Sequence, residues 1–187
     1  NKGVQYLVDA VIDYLPSPID IPPAVGQHPD DEELQVFAET SDEKSFCSLA
    51  FKLWADKYVG KLVFFRVYSG TVSKGDLVFN PRTRRKERVS RLIQMQADKH
   101  QEIETCYAGD IAAFVGIKNV VTGDTLCEQS FNILLEPPQF PEPVIAMAVE
   151  PRTKADSEKM SAGLGRLSEE DPTFVIKTDE DTGQTII

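Results

Sequence analysis

From Val4 the apolar positions Leu7, Val8, Val11 and Leu15 recur at helical spacing, which predicts a helix over about Val4 to Tyr14 that Pro16 ends. The periodicity then lapses. Residues 16–44 carry Pro16, Pro18, Pro22, Pro23 and Pro29, followed by the acidic run Asp30 to Glu33, and read as an extended connector with a mobile loop. Beyond it the period changes to two. In the run Lys61 to Tyr68, Leu62, Phe64, Arg66 and Tyr68 fall on one face and Val63, Phe65 and Val67 on the other, in residue types that suit a pleated surface. Gly60, Gly70 and the Lys74-Gly75-Asp76 turn punctuate the pattern. Trp54, Phe64 and Phe65 sit at strand positions that read as core. A small β-barrel over residues 45–128 follows.

Pro137, Pro138, Pro141 and Pro143 mark a second stiff linker over residues 129–143. After it the pattern turns to α+β. Val144 to Val149 reads as a strand, and Thr153 with Asp156 opens a helix whose Met160, Leu164 and Leu167 form an apolar stripe up to about Glu169. Gly163 and Gly165 lie inside that helix and cost it on the order of 1 kcal/mol each relative to Ala, so it depends on packing. Thr173 to Lys177 and Gln184 to Ile187 read as a hairpin around Asp179 to Gly183.

Composition changes this picture in two places. The net charge of −10 argues against a nucleic-acid partner until the chain is divided. Ser45 to Cys127 holds 13 Lys and Arg against 8 Asp and Glu, a net of +5, which leaves −15 on the flanks. Six of those cations, Arg82, Arg84, Arg85, Lys86, Arg88 and Arg91, fall within ten residues, a density able to meet phosphates or simply a solvated hairpin tip. Cys47, Cys106 and Cys127 are odd in number and form no C-x-x-C, and they read as reduced core residues of a cytoplasmic protein. His28 and His100 have no ligand spacing around them, which disfavours a zinc site. No apolar run approaches the ~20 residues of a membrane span.

The residues that carry a resemblance extend along most of the chain. They are Gly3-Val4-Gln5, Tyr14 to Pro18, Leu49 to Leu53, Tyr58 to Asp76, Tyr107 to Ile111, Thr122 to Cys127, Phe140 to Ile145, Glu150 to Met160 and Glu169 to Phe174. In this order they resemble the translational GTPases, specifically bacterial elongation factor G from the second domain into the third. The resemblance implies a six-stranded antiparallel translation-factor barrel followed by a partial, ferredoxin-like βαββ domain. It divides the chain into an exit helix of a GTPase domain with its linker (1–44), the barrel (45–128), a Pro-rich linker (129–143) and the first half of a third domain (144–187).

For function, the resemblance implies a ribosome-binding module of a factor that moves transfer RNA and messenger RNA with GTP. Its partners are small-subunit ribosomal RNA and its own GTPase and remaining domains. Carried over onto this chain, the RNA-facing loops are Tyr58, Val59, Gly60 and Lys61, and Gly116 with Ile117 and Lys118. Glycines at these points let backbone approach sugar and phosphate, and the lysines supply charge. Arg82, Arg84, Arg85, Lys86 and Arg88 are a second candidate set.

No G-x-x-x-x-G-K-[ST] occurs, so the chain is expected to hold no GTP, magnesium or other cofactor and to catalyse nothing itself. Two other readings stay open on sequence. One is the equivalent domain of release factor three or a tetracycline-type ribosomal protection protein. The other is a basic barrel used outside translation, which would display aromatics in a groove.

Overall fold

A computed structural model describes residues 2–56, 59–97, 99–180 and 182–187. In chain order they form α1 (Val4–Tyr14), β1 (Ala24–His28), β2 (Asp31–Ala38), β3 (Cys47–Asp56), β4 (Gly60–Ser69), β5 (Val72–Ser73), β6 (Leu77–Asn80), β7 (Arg85–Arg88), β8 (Arg91–Gln96), β9 (Lys99–Ile103), β10 (Thr105–Cys106), β11 (Ile111–Val115), β12 (Thr125–Cys127), β13 (Leu134–Leu135) and β14 (Ala148–Val149). A 3-10 turn (Lys154–Asp156) leads into α2 (Ser157–Glu170), and β15 (Lys177–Thr178) and β16 (Thr185–Ile186) complete the chain.

The period-two run becomes β4, the centre of an antiparallel sheet in the order β7-β6-β12-β3-β4-β11-β8-β9, with a short β10-β5 ladder beside it. The class is mainly β, as the alternation predicts. The count of six strands is not recovered, because the hairpin tips add β7 and β9 to the main sheet. Register shifts at Cys47/Ser48 and Ala50/Lys52 mark bulges that bend β3, the usual way a sheet curls toward closure. The inward face of β4 carries Val63, Phe65 and Val67, all fully buried with Leu53, Val78, Leu92, Phe114 and Leu126. Phe65 stacks on Phe114 with ring centroids 3.7 Å apart.

The other face of β4 is covered as well. Leu62 is buried with Ile93, Ala113 and Val115, and Phe64 packs on them half-buried. Trp54 departs from the core position expected of it: it is 40% exposed and lies over Phe64 at 6.4 Å. Its strand has neared the end of the barrel, where the indole stacks on Phe64 and borders a hollow beside α2.

Both linkers need correction. Residues 24–38 are a hairpin, β1 with β2, and β13 pairs with β1 to make a three-stranded sheet. Ala38, Ile133 and Leu135 are buried there with Cys47, Leu49 and Cys127, so the segment is anchored on the barrel and is not an extended connector. The second linker, 129–143, likewise contains a strand, β13.

The predicted helix at Val4–Tyr14 forms with those bounds but buries no residue, leaving Leu7, Val8 and Val11 exposed. All three thiols are buried and unpaired. Burial pushes Cys47 up strongly, Cys106 up to about 12 and Cys127 up to about 11, which makes them inert packing groups.

From residue 144 the expected βαββ order appears as β14, α2, β15 and β16, with β16 central in an antiparallel sheet. The strands are shorter than the sequence pattern predicts: β14 takes only Ala148–Val149 of Val144 to Val149. Thr153 donates its hydroxyl to Asp156 at 2.6 Å ahead of α2, and the helix starts at Ser157 after one 3-10 turn. No helix is long and apolar enough to cross a membrane, among the described residues.

Candidate nucleic-acid interface

Antiparallel pairing brings the two candidate loops together. Val115 of β11 lies opposite Leu62 of β4, so the turn leading into β4 and the turn leaving β11 share one end of the sheet. In the first turn Asp56 pairs with Gly60, and the Val59 amide donates to the Asp56 carboxylate at 2.8 Å. Gly60 has φ 88°, and a side chain added there would meet nothing within 4 Å. Its backbone therefore faces open space in a conformation that glycine adopts without strain. Tyr58, the fourth residue expected in this loop, lies outside the described residues.

In the second turn Gly116 has φ 84°, and Ile117 is 1% exposed, pinned in the barrel core. That anchor presents Lys118 outward. Lys61, only partly exposed, reaches across: its ammonium donates to the Lys118 carbonyl at 3.4 Å and pairs with Glu169 at 3.0 Å.

The basic hairpin, which the sequence offered as one run, divides in three. Arg82 is a structural group. Its guanidinium donates to both carboxylate oxygens of Asp124, with Nη2 at 2.8 Å, and that carboxylate, almost fully buried, also accepts from the Asn80 side chain and the Val121 amide. The hydrogen bonds that Arg82 donates to Asp124 hold its pKa above the ordinary value. Arg84, at φ 54°, turns the other way and pairs with Asp30 on the β1–β2 turn.

Strand alternation separates the rest. Arg85 and Glu87 stand opposite the buried Asn80 and Val78, whereas Lys86 and Arg88 share the outer face. Glu87 accepts from Asn119 at 2.9 Å, which fastens the β6–β7 hairpin to the second candidate loop.

The outcome is an open cleft of about 400 Å³ whose lining includes Lys61, Lys118, Arg82, Arg85, Thr83 and Asn119, with Glu169 at its edge. Cations from three separate stretches of chain meet there. Among the described residues, no ion pair engages Lys118 or Arg85. The cleft offers a sugar–phosphate chain two glycine turns and three or four positive groups, the pattern of a positioning contact more than of base reading. The sequence placed Glu169 at a helix end but gave no sign that it meets Lys61, 108 residues away, nor of the part Asn119 plays in joining the loops.

Comparison with known proteins agrees with this organisation. Residues 60–127 match elongation factor Tu domain 2, and residues 140–187 match elongation factor G domain III. A crystal structure of a protein from Thermus thermophilus superposes on 98% of this chain with a TM-score of 0.74 at 21% identity, a likeness of fold. The chain spans 25% of that protein's length. A domain of the elongation factor Tu type running directly into one of the elongation factor G type makes this chain a translational GTPase module that belongs to the elongation factor G-like family.

Proposed function

We propose that this chain is the ribosome-binding module of an elongation factor G-like GTPase that drives movement of transfer RNA and messenger RNA, and that the cleft between Lys61, Lys118 and Arg85 rests on small-subunit ribosomal RNA. The observation that supports it is convergence. Residues from three stretches place their charges at one end of the barrel, next to two glycine turns whose backbone a phosphate chain can approach. In this reading the chain itself hydrolyses nothing, and GTP and magnesium belong to the GTPase domain of the whole cytoplasmic factor.

Binding of the chain to isolated small ribosomal subunits across a salt series tests the reading. Lys61→Met and Lys118→Met should each weaken binding and flatten the slope of log affinity against log salt by about one unit. Their thermal unfolding should stay within about 0.5 kcal/mol of the parent, as for other surface changes. Arg84→Met is the control, since Asp30 holds that side chain away from the cleft. Parental affinity and slope in both lysine variants would sink the proposal.

A further inference from the structure

The end of α2 sits on this same cleft. Glu169 pairs with Lys61 at 3.0 Å, and the Glu170 carboxylate accepts from the Ala55 amide of β3 at 3.1 Å. The two contacts fall on neighbouring sides of the β3–β4 turn, and a second hollow between α2 and the barrel is lined by Trp54, Ala55, Lys61, Arg166, Glu169 and Glu170.

Local physics argues against these glutamates where they stand. A helix C-terminus carries partial negative charge and favours cations, yet the last turn of α2 holds two acids and no base. What compensates them lies on the barrel: an ammonium and a backbone N–H.

We propose that Glu169 and Glu170 form an electrostatic latch, in which the acidic end of α2 occupies the place on Lys61 that an RNA phosphate takes when the module docks. This rests on the RNA-contact reading of Lys61. Carboxylate and phosphate oxygens compete for one ammonium, so docking on RNA releases α2 from the barrel, and holding α2 down weakens docking. Glu169 is well exposed and the ion pair is of the screened, surface kind, which suits a contact that must be displaced. By linkage the coupling runs both ways.

Trp54, the only tryptophan of the chain, lines the hollow under α2 and reports the latch without any RNA. The test compares the parent with Glu169→Gln/Glu170→Gln, each with and without Lys61→Met. Acrylamide quenching of Trp54 is read on the chain alone, and affinity is read on isolated small ribosomal subunits from low to high salt.

The latch variant should show a more readily quenched Trp54. It should also bind subunits about two- to fivefold tighter at low salt, as expected from loss of one exposed ion pair, with the gain fading at high salt. In the Lys61→Met background the gain should vanish. Unchanged quenching overturns the latch. Altered quenching with parental affinity, while Lys61→Met still weakens binding, overturns the coupling and leaves the RNA contact standing. An equal gain with and without Lys61 reduces the effect to net charge and also overturns the latch. Parental affinity in Lys61→Met alone instead removes the RNA reading on which the latch depends.

Discussion

Between Cys47 and Cys127 every strand except the two hairpin tips β7 and β9 contributes a buried side chain, whereas from residue 144 onward no described residue is buried. The two regions are built from similar local signals, an alternating strand in one and an amphipathic helix in the other. What separates them is closure. The barrel sheet turns its apolar face onto itself, so Phe65 finds Phe114 and Leu53 within the same unit. Helix α2 leaves Leu167 exposed and Met160 and Leu164 only half-buried, and its specific ties to the barrel are polar. A region held by apolar closure resists single changes at its surface and fails at its centre. One held by a few exposed polar contacts can move.

The largest effect that would test this difference is expected at Phe65. Removing a fully buried ring stacked on Phe114 should cost about 3–5 kcal/mol in denaturant unfolding, while Leu167→Ala, at a half-exposed position of α2, should stay within about 0.5 kcal/mol. Similar losses from the two would mean that α2 shares the barrel core after all.

Glycines sharpen the contrast at lower cost. Gly70 has φ 69°, and a Cβ there would lie 2.5 Å from the Lys44 carbonyl oxygen and 2.6 Å from the Phe46 amide nitrogen, both backbone atoms that cannot step aside. Gly70→Ala should destabilise the barrel by about 1–3 kcal/mol, the ordinary cost of a strained backbone position, seen as an earlier unfolding midpoint. Gly163 sits in α2 with open space where its Cβ would be. Gly163→Ala should therefore act with the opposite sign, strengthening the helix by up to about 1 kcal/mol and raising the far-ultraviolet helical signal. A loss of helix from that change would mean that α2 needs its glycine for close approach to a neighbour.

Local sequence determined what local physics controls. The bounds of α1, the alternation of β4, the βαββ order after residue 144 and the glycine turn at Gly60 were all legible, because each depends on periodicity or on backbone freedom within a few residues, whereas the turn at Gly116 came only with the family resemblance. The β1–β2 hairpin was not. Its acidic, proline-flanked residues favour loop on their own, and they become strands only because β13, about a hundred residues later, pairs with β1 and buries Ala38 and Leu135 against Cys47 and Cys127.

The basic run from Arg82 to Arg88 shows the same limit at the candidate site. The sequence could count its charges. Only the fold could send Arg82 to the buried Asp124, Arg84 to Asp30 and Arg85 into the cleft with Lys61 and Lys118. Where a cation points is decided by the carboxylate that reaches it, and those carboxylates arrive from 42, 54 and, for Lys61, 108 residues away. Separations of that size leave no trace in spacing or periodicity, so tertiary structure alone decides which charges remain for a partner.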